Sequence, residues 1–517
     1  MKLVCLLLCG IVVGTGLVGQ AGERFNLVLI LADDMGAGDL RANNVQSAID
    51  TPNLDALAAG GMRFIDAHSP SSVCSPTRYG LLTGRYAWRT RMTQGVLDGF
   101  APPLIEAGRP NLASLLKEKN YRTVCFGKWH LGMQWTGKDG KPVTGDLMML
   151  PKPGFRPGHD VDFSRAVTGG PTAIGFDEFF GISASLDMAP YAWIESDRCR
   201  ITRPIDFPDN RGLLWNISPG VGDAAFEMSA MLGELQRRTV NWIEEHDRQA
   251  DDRPFFLYLP LNSPHLPVVP SETFAGRSRA GSYGDFVMET DAFVGAVVAA
   301  LRRTGELERT IIVFTSDNGG LWHAWEPAEA DDLAAYRPTA RALHAAGFGH
   351  RSNAWRRGTK ADIYEGGHCV PFLVHWPDQV RPGSTCATPV ELTDILATVA
   401  DLLGAKLPEG VGPDSFSFLP LLRNPESPDF TRPFLVHHSL DGLFAIRKGD
   451  WKYAEARGSG GFSSPKKVTP EPGEATGQLY NLRVDPSETT NLFLREPARV
   501  AELQRLLQQA KAGEGLR

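Results

Sequence analysis

Four short apolar runs, each ending directly in a cluster of reactive residues, constrain this chain more than any other feature. Phe25–Leu31 (FNLVLIL) runs into Asp33 and Asp34, and Arg122–Gly127 (RTVCFG) into Lys128, Trp129 and His130. Phe255–Asn262 (FFLYLPLN) runs into Pro264 and His265, and Thr310–Ser316 (TIIVFTS) into Asp317 and Asn318. Continuous β-branched and aromatic runs of this length suit strands buried on both faces. Helix-like segments lie between them, over 111–119 and over 226–245, where Met228, Met231, Leu232, Leu235, Trp242 and Ile243 stand near helical spacing. Strands alternating with helices imply an α/β fold with a large, mostly parallel sheet covered on both faces. In such sheets ligands bind beyond the carboxyl ends of the strands, so the four clusters are expected to meet at one site.

Val370–Trp376 (VPFLVHW) reads as a further strand, and 391–404 as a helix closing the main domain. After about Arg423 the texture changes. Leu443–Ala456 (LFAIRKGDWKYAEA) alternates around Gly449-Asp450 and predicts an antiparallel hairpin. A Gly/Ser/Pro-rich loop over 457–477 follows, and 497–512 forms an amphipathic pattern with Val500, Leu503 and Leu507 on one face. The expected organisation is a catalytic domain over 22–423 and a smaller α+β domain with an antiparallel sheet over 424–517. No fixed-period repeat points to a solenoid or propeller.

At the N-terminus one lysine precedes an apolar stretch, and the small residues Gly19 and Ala21 flank Gln20. This predicts a secretory signal peptide over 1–21, cut near Ala21. Its glycine-broken core is short for an anchor, and no other run is apolar enough to span a membrane. The expectation is an exported protein, periplasmic or secreted, without stable membrane insertion after cleavage. The 53 basic and 60 acidic residues are scattered, and the net charge is −7. A nucleic-acid partner would want a basic stripe instead. Cleavage would leave Cys74, Cys125, Cys199, Cys369 and Cys386, an odd number, so at least one lacks an intramolecular partner. Their wide spacings indicate neither a zinc site nor a disulfide scaffold.

Asp33, Asp34, Asp317 and Asn318 offer hard oxygen ligands, which suit Ca²⁺ or Mg²⁺ and disfavour zinc. Asp and Asn also cap helices and turns, but two such pairs directly after buried strands favour a metal. Lys128 and His130, two apart, would point to one side of an extended segment. Arg78 and Lys360 add cations, although either lysine taken singly reads as an ordinary solvated residue. A divalent ion among several cations is built for a tetrahedral oxyanion, sulfate or phosphate. His265, stiffened by the prolines of NSPHLP, would serve as a positioned acid or base, or be only a loop histidine. Cys74 stands at a helix start just before Pro76, and that helix is expected to stop near Gly84. Free N–H groups there favour an anion. A thiolate could act as nucleophile, yet soft sulfur is the wrong species beside a hard ion.

CSPTR followed by LLTGR (74–85) resembles the signature of type I sulfatases, in which C-x-P-x-R directs oxidation of the cysteine to Cα-formylglycine. GKWHLG, GFDEFFG, SDNGG, EGGHCVPFLVHWP and LYNLRVDPSETTNL are also similar to family segments, stand in family order and cover nearly the whole mature chain. The overall likeness is to bacterial arylsulfatases akin to arylsulfatase A and N-acetylgalactosamine-6-sulfatase. The resemblance implies an alkaline-phosphatase-like α/β/α core with a small C-terminal domain. It implies one Ca²⁺ held by Asp33, Asp34, Asp317 and Asn318, with formylglycine at position 74 as a further ligand. It also implies a maturation enzyme as partner and a sulfated small molecule or glycan as substrate. In that scheme one hydroxyl of the hydrated aldehyde attacks sulfur while Arg78, Lys128 and Lys360 stabilise the charge. His265, with Lys360, aids departure of the alcohol, and His130 deprotonates the second hydroxyl so that sulfate leaves.

Two other readings stay open at this level. One is a phosphonate monoester or phosphate diester hydrolase of the same superfamily; the other is a silent sulfated-glycan-binding protein, against which the intact residue set argues. The insertion between Asn318 and Lys360, rich in Trp322, His323, Trp325, His344, His350 and Arg351, either lines the substrate pocket or forms a surface loop.

Overall fold

The computed structural model describes residues 25–145, 157–249, 251–324, 339–513 and 516–517. The signal-peptide segment and Trp325 lie outside the described residues.

All four apolar runs form strands. The main sheet comprises β1 (Asn26–Ala32), β2 (Met62–Phe64), β3 (Arg122–Lys128), β4 (Glu178–Ile182), β5 (Ile194–Glu195), β6 (Arg198–Cys199), β7 (Phe255–Pro260), β8 (Thr310–Ser316), β9 (Phe372–His375) and β10 (Ser384–Cys386), in the spatial order β10-β2-β9-β8-β1-β7-β3-β4-β5-β6. The five strands β8-β1-β7-β3-β4 are mutually parallel. The VPFLVHW strand, β9, joins antiparallel to β8, so the sheet is mixed at its margins. Every residue of β1, β7 and β8 is buried, which explains their unbroken apolar character: neither face of a central strand meets water. Since β8, β1, β7 and β3 are parallel neighbours, their carboxyl ends lie on one edge, as the run-plus-cluster pattern requires.

Helices cover the sheet in two groups. α1 (Pro52–Gly60) and α4 (Met231–Arg248) pack on α5 (Gly281–Arg303), while α2 (Cys74–Thr83) and α3 (Leu112–Glu118) pack on α6 (Ile395–Leu402). α4 starts later than its periodicity suggests. Glu227 is extended (φ −105°, ψ 111°) and Met228–Ala230 makes one tight 3-10 turn, so Phe226 and Met228 are buried from outside the helix.

β3 and β4 approach closely at paired glycines, Gly127 and Gly181. A Cβ on Gly181 would lie 1.7 Å from the Gly127 carbonyl oxygen, which belongs to backbone and cannot swing aside. Gly181→Val should therefore cost about 3 kcal/mol or more of stability through overpacking. Urea denaturation measures this, and an unchanged midpoint would contradict the close approach.

The C-terminal segment forms a separate four-stranded antiparallel sheet, β11 (Leu435–His438), β12 (Phe444–Lys448), β13 (Trp451–Ala454) and β14 (Gln478–Asn481), in that order. The β12–β13 turn is Gly449-Asp450, with Gly449 at φ 57°, a value that favours glycine. α7 (Pro497–Lys511) lays Val500, Leu503 and Leu507 against Val436, Ile446 and Leu479. Tyr86 and Trp88, just past α2, insert into the same cluster and join this sheet to the main body. Beside them the buried guanidinium of Arg432 bridges the carboxylates of Glu391 and Asp394. All five described cysteines are buried and free. Among the described residues no helix is long and apolar enough to cross a membrane.

Candidate active site

The turn after β1 presents Asp33 and Asp34, and the turn after β8 presents Asp317 and Asn318. The Asp34 amide donates to Asp317 Oδ1 (3.2 Å), and Asn318 Nδ2 donates to Asp34 Oδ1 (2.8 Å). Asp34 sits at φ 65°. A left-handed non-glycine residue costs of order 1–3 kcal/mol and persists only where its surroundings enforce it.

Cys74 opens α2 after an extended Val73 (φ −143°, ψ 160°), and Gly84 closes that helix at φ 61°, as the sequence predicts. The Cys74 thiol donates to Asp33 Oδ1 at 3.6 Å. One turn on, Arg78 forks onto Asp317 through Nε (3.0 Å) and Nη2 (2.7 Å) and donates from Nη1 to the Lys128 carbonyl (3.0 Å). Lys128, the last residue of β3, bonds Asp33 Oδ2 at 2.5 Å, and Lys360 bonds Asp34 Oδ1 at 2.7 Å. Both lysines are buried in ion pairs, so the surface reading of each is overturned. Ala361, at φ 78°, donates its amide to the Ser72 carbonyl and so ties Lys360 to the loop before Cys74.

His265 follows β7 on the same edge. Its Nε2 lies 3.6 Å from Asp34 Oδ2, and its Nδ1 lies 2.5 Å from the Leu266 carbonyl, which fixes that proton on Nδ1. Carboxylate oxygens of Asp33 and Asp34, Cys74 Sγ and a His265 nitrogen all fall within 4.8 Å of one another.

His130 corrects the sequence argument. The strand ends at Lys128, and His130 is left-handed (φ 56°) rather than extended, so the two-residue spacing does not orient it. Its ring is held instead by Nε2 donating to the Leu97 carbonyl at 2.8 Å, which leaves Nδ1 buried without a hydrogen-bond partner among the described residues. Burial, reinforced by the charges of Lys128 and Arg78, holds this imidazole well below its usual range, and it is neutral.

Burial alone would raise the Asp33 carboxyl, but Lys128, His265, Arg78 and Lys360 outweigh it and hold the group well below the usual carboxylate range. Burial and the charge of Asp317 push the Cys74 thiol up, so it stays protonated at neutral pH. Three carboxylates (Asp33, Asp34, Asp317) thus balance three cations (Arg78, Lys128, Lys360) in a buried space. Among the described residues Asn318 Oδ1 is buried there with no hydrogen-bond partner. An orphaned amide oxygen beside three carboxylates is a donor set fitted to a hard divalent cation.

Sequence reasoning missed Ser185. It lies just past β4, the fifth parallel strand, and its Oγ bonds Lys128 Nζ (3.2 Å) and His265 Nδ1 (3.2 Å). Applying the carboxyl-edge rule to GFDEFFG as well would have found it. Part of the insertion is interior rather than a surface loop. Trp322 stacks on Tyr283 at 5.3 Å, and His350 Nε2 and the Tyr283 hydroxyl bond Asp39 at 2.7 and 2.6 Å. Trp322, His323 and His350 are buried behind the Asp33–Asp34 turn, whereas Arg351 is exposed.

A family model described as Sulfatase matches residues 25–405. An N-acetylgalactosamine-6-O-sulfatase of Bacteroides thetaiotaomicron is 31% identical, with 95% of this chain and 94% of the relative covered. Human arylsulfatase A is 33% identical, covering 90% of this chain and 83% of the relative. Among solved structures, a Bacteroides thetaiotaomicron 6S-sulfatase from a study of glycosaminoglycan metabolism superposes with a TM-score of 0.77 at 28% identity, covering 95% of this chain and all of that one. With an alkaline-phosphatase-like core, this site and these relatives, the chain belongs to the sulfatase family and is a sulfuric ester hydrolase.

Proposed function

We propose that the protein hydrolyses sulfate esters of a carbohydrate, using Cys74 after its oxidation to formylglycine and one bound Ca²⁺. The observation that carries this reading is the buried balance of three carboxylates and three cations around Cys74 Sγ, with Asn318 Oδ1 unpartnered beside it. Asp33, Asp34, Asp317 and Asn318, with residue 74, would hold the ion. When bound, Ca²⁺ would supply positive charge against the sulfate oxygens, and the hydrated aldehyde would supply the nucleophilic oxygen that a protonated thiol lacks. The divalent ion would take the balanced site to a net charge of +2, complementary to an anionic sulfate ester.

The remaining chemistry belongs to the chain's own groups. Arg78, Lys128 and Lys360 are held in place by bonds already made, so they stabilise charge on the sulfuryl oxygens without reorganising. His265 keeps a proton on Nδ1 toward Leu266 and turns Nε2 toward the reacting space; protonated there, it can hand that proton to the departing alcohol. His130, with its proton fixed on Nε2, presents the Nδ1 lone pair as a base. Export, periplasmic or secreted, and a formylglycine-generating partner belong to the same reading. A catalytic domain over 22–423 and a smaller α+β domain over 424–517 also belong to it.

The test is sulfate release from 4-nitrophenyl sulfate compared with cleavage of the matching phosphate diester, with mass spectrometry of the peptide containing residue 74. Preference for sulfate and a formylglycine mass are expected. Preference for the diester, or an unmodified thiol in active protein from the native host, would overturn the reading. Chelation gives a separate expectation. Prolonged EDTA treatment should lower turnover by at least about 100-fold, and Ca²⁺ should restore it. Ca²⁺ at 100 times its Kd should also stabilise the chelated protein by about 2.7 kcal/mol, read as a rise in Tm. Full turnover and an unmoved Tm after metal removal would count against the ion.

A further inference from the structure

Beside the site stands a second set of groups whose bonding is unfinished. Asp187 lies two residues beyond Ser185, which itself bonds Lys128 and His265. Its carboxylate is buried, and among the described residues Oδ1 has no hydrogen-bond partner. An unpaired buried carboxylate oxygen is costly unless something donates to it.

Next to it lies the hairpin 210–217, in which Asn210 pairs with Ile217 and Arg211 with Asn216. This hairpin is tied to the active-site loops on both sides. The Val268 amide, three residues past His265, donates to the Leu214 carbonyl at 2.8 Å. On the other side the Ser218 amide donates to the Asp187 carbonyl at 2.8 Å. At the hairpin tip Trp215 remains 39% exposed, a large aromatic face left in solvent.

Over that tip lies Arg341, from the insertion. Its Nε donates to the Leu213 carbonyl (3.0 Å) and Nη2 to the Gly212 carbonyl (3.3 Å). Among the described residues no carboxylate forms an ion pair with it, although the charges of Asp34 and Asp187 both act on it. Two carbonyl bonds orient a guanidinium without neutralising it. An arginine held this way presents its remaining N–H groups to an incoming anion.

We propose that Asp187, Trp215 and Arg341 form the subsite for the alcohol that is released, and that it takes a sugar bearing a second anionic group, carboxylate or sulfate. This rests on the sulfated-carbohydrate reading above. Trp215 offers a flat apolar face to the sugar ring, Asp187 Oδ1 accepts from a sugar hydroxyl, and Arg341 binds the second anion.

The test measures kcat and KM of the wild type, Arg341→Gln and Arg341→Lys on three substrates. These are 4-nitrophenyl sulfate, a sulfated disaccharide containing a uronic acid, and the same disaccharide with its carboxyl reduced to the alcohol. A doubly sulfated disaccharide without the uronate replaces the second substrate in a parallel arm and distinguishes the two anion sources. For Arg341→Gln, the ratio of kcat/KM on the anionic disaccharide to that on 4-nitrophenyl sulfate should fall about 10–100-fold, mainly through KM. Arg341→Lys should recover part of the loss. For the wild type, reducing the carboxyl or removing the second sulfate should reproduce the loss. A ratio unmoved by Arg341→Gln in both arms would overturn the subsite, as would an equal loss on all substrates, which marks a structural role. No sulfate release by the wild type from any substrate would instead overturn the sulfatase reading, and the subsite with it.

Discussion

Cys74→Ala should abolish sulfate release, by at least about 10⁴-fold in kcat, while leaving the fold intact. On the proposed mechanism residue 74 carries the nucleophile, and removing a nucleophile that acts as one unit with its partners costs orders of magnitude. Among the described residues the thiol makes one hydrogen bond, to Asp33 Oδ1 at 3.6 Å. Asp33 keeps its stronger partner Lys128 at 2.5 Å, so the charge balance survives the substitution. Cys74→Ser gives the finer comparison. Serine restores a hydroxyl in nearly the same volume but has no second hydroxyl from which to expel sulfate. It should permit at most one turnover and retain sulfate on residue 74, visible as a mass increase on that peptide. Steady turnover by Cys74→Ser would defeat the formylglycine reading; steady turnover by Cys74→Ala would remove residue 74 from the chemistry altogether.

The second large effect lies between the two sheets. Arg432 is buried, bridges Glu391 and Asp394, and donates to the Tyr86 hydroxyl at 3.0 Å. Arg432→Met keeps most of the apolar stem and leaves two carboxyl groups buried without their counter-charge, a loss of about 3–5 kcal/mol at pH 9, where the wild type holds both ionised. The pH dependence follows from burial, which pushes Glu391 up to about 8 and Asp394 up to about 6 even with the guanidinium present. Arg432 opposes that rise, so its removal raises both further. Their folded-state values then lie above the unfolded ones, about 4.3 and 3.9. Such groups contribute stability that is complete below about pH 4 and is lost as pH rises through the folded-state values. The variant should therefore be markedly more stable to urea at pH 5 than at pH 9, with a steeper fall over that range than the wild type. Equal stability of wild type and variant at pH 9 would show that the bridge does not hold the sheets together.

Much of this protein was legible in the chain itself, for identifiable reasons. The buried runs FNLVLIL and TIIVFTS read as strands because a central parallel strand has no polar face to disguise it. Asp33, Asp34, Asp317 and Asn318 could be grouped because parallel strands carry their following residues to one edge. Cys74 and Gly84 marked the two ends of one helix through local backbone chemistry. What was misread depended on the path of irregular backbone. His130 reaches the site through a left-handed residue and a bond to Leu97, 33 positions away, not through strand alternation. Trp322 and His350 are interior residues because they pack on Tyr283 and Asp39, which no local pattern announces.

The sequence alone determined the class of fold, the edge at which the chemistry gathers and the residue types there, because these follow from short-range periodicity and strand direction. Tertiary structure decided which groups meet and in what state. It buried Lys128 and Lys360 against Asp33 and Asp34, kept the Cys74 thiol protonated, and left Asn318 Oδ1 and Asp187 Oδ1 without partners. Those outcomes depend on desolvation and on contacts between residues 41 to 326 positions apart, and both exist only once the chain has closed around them.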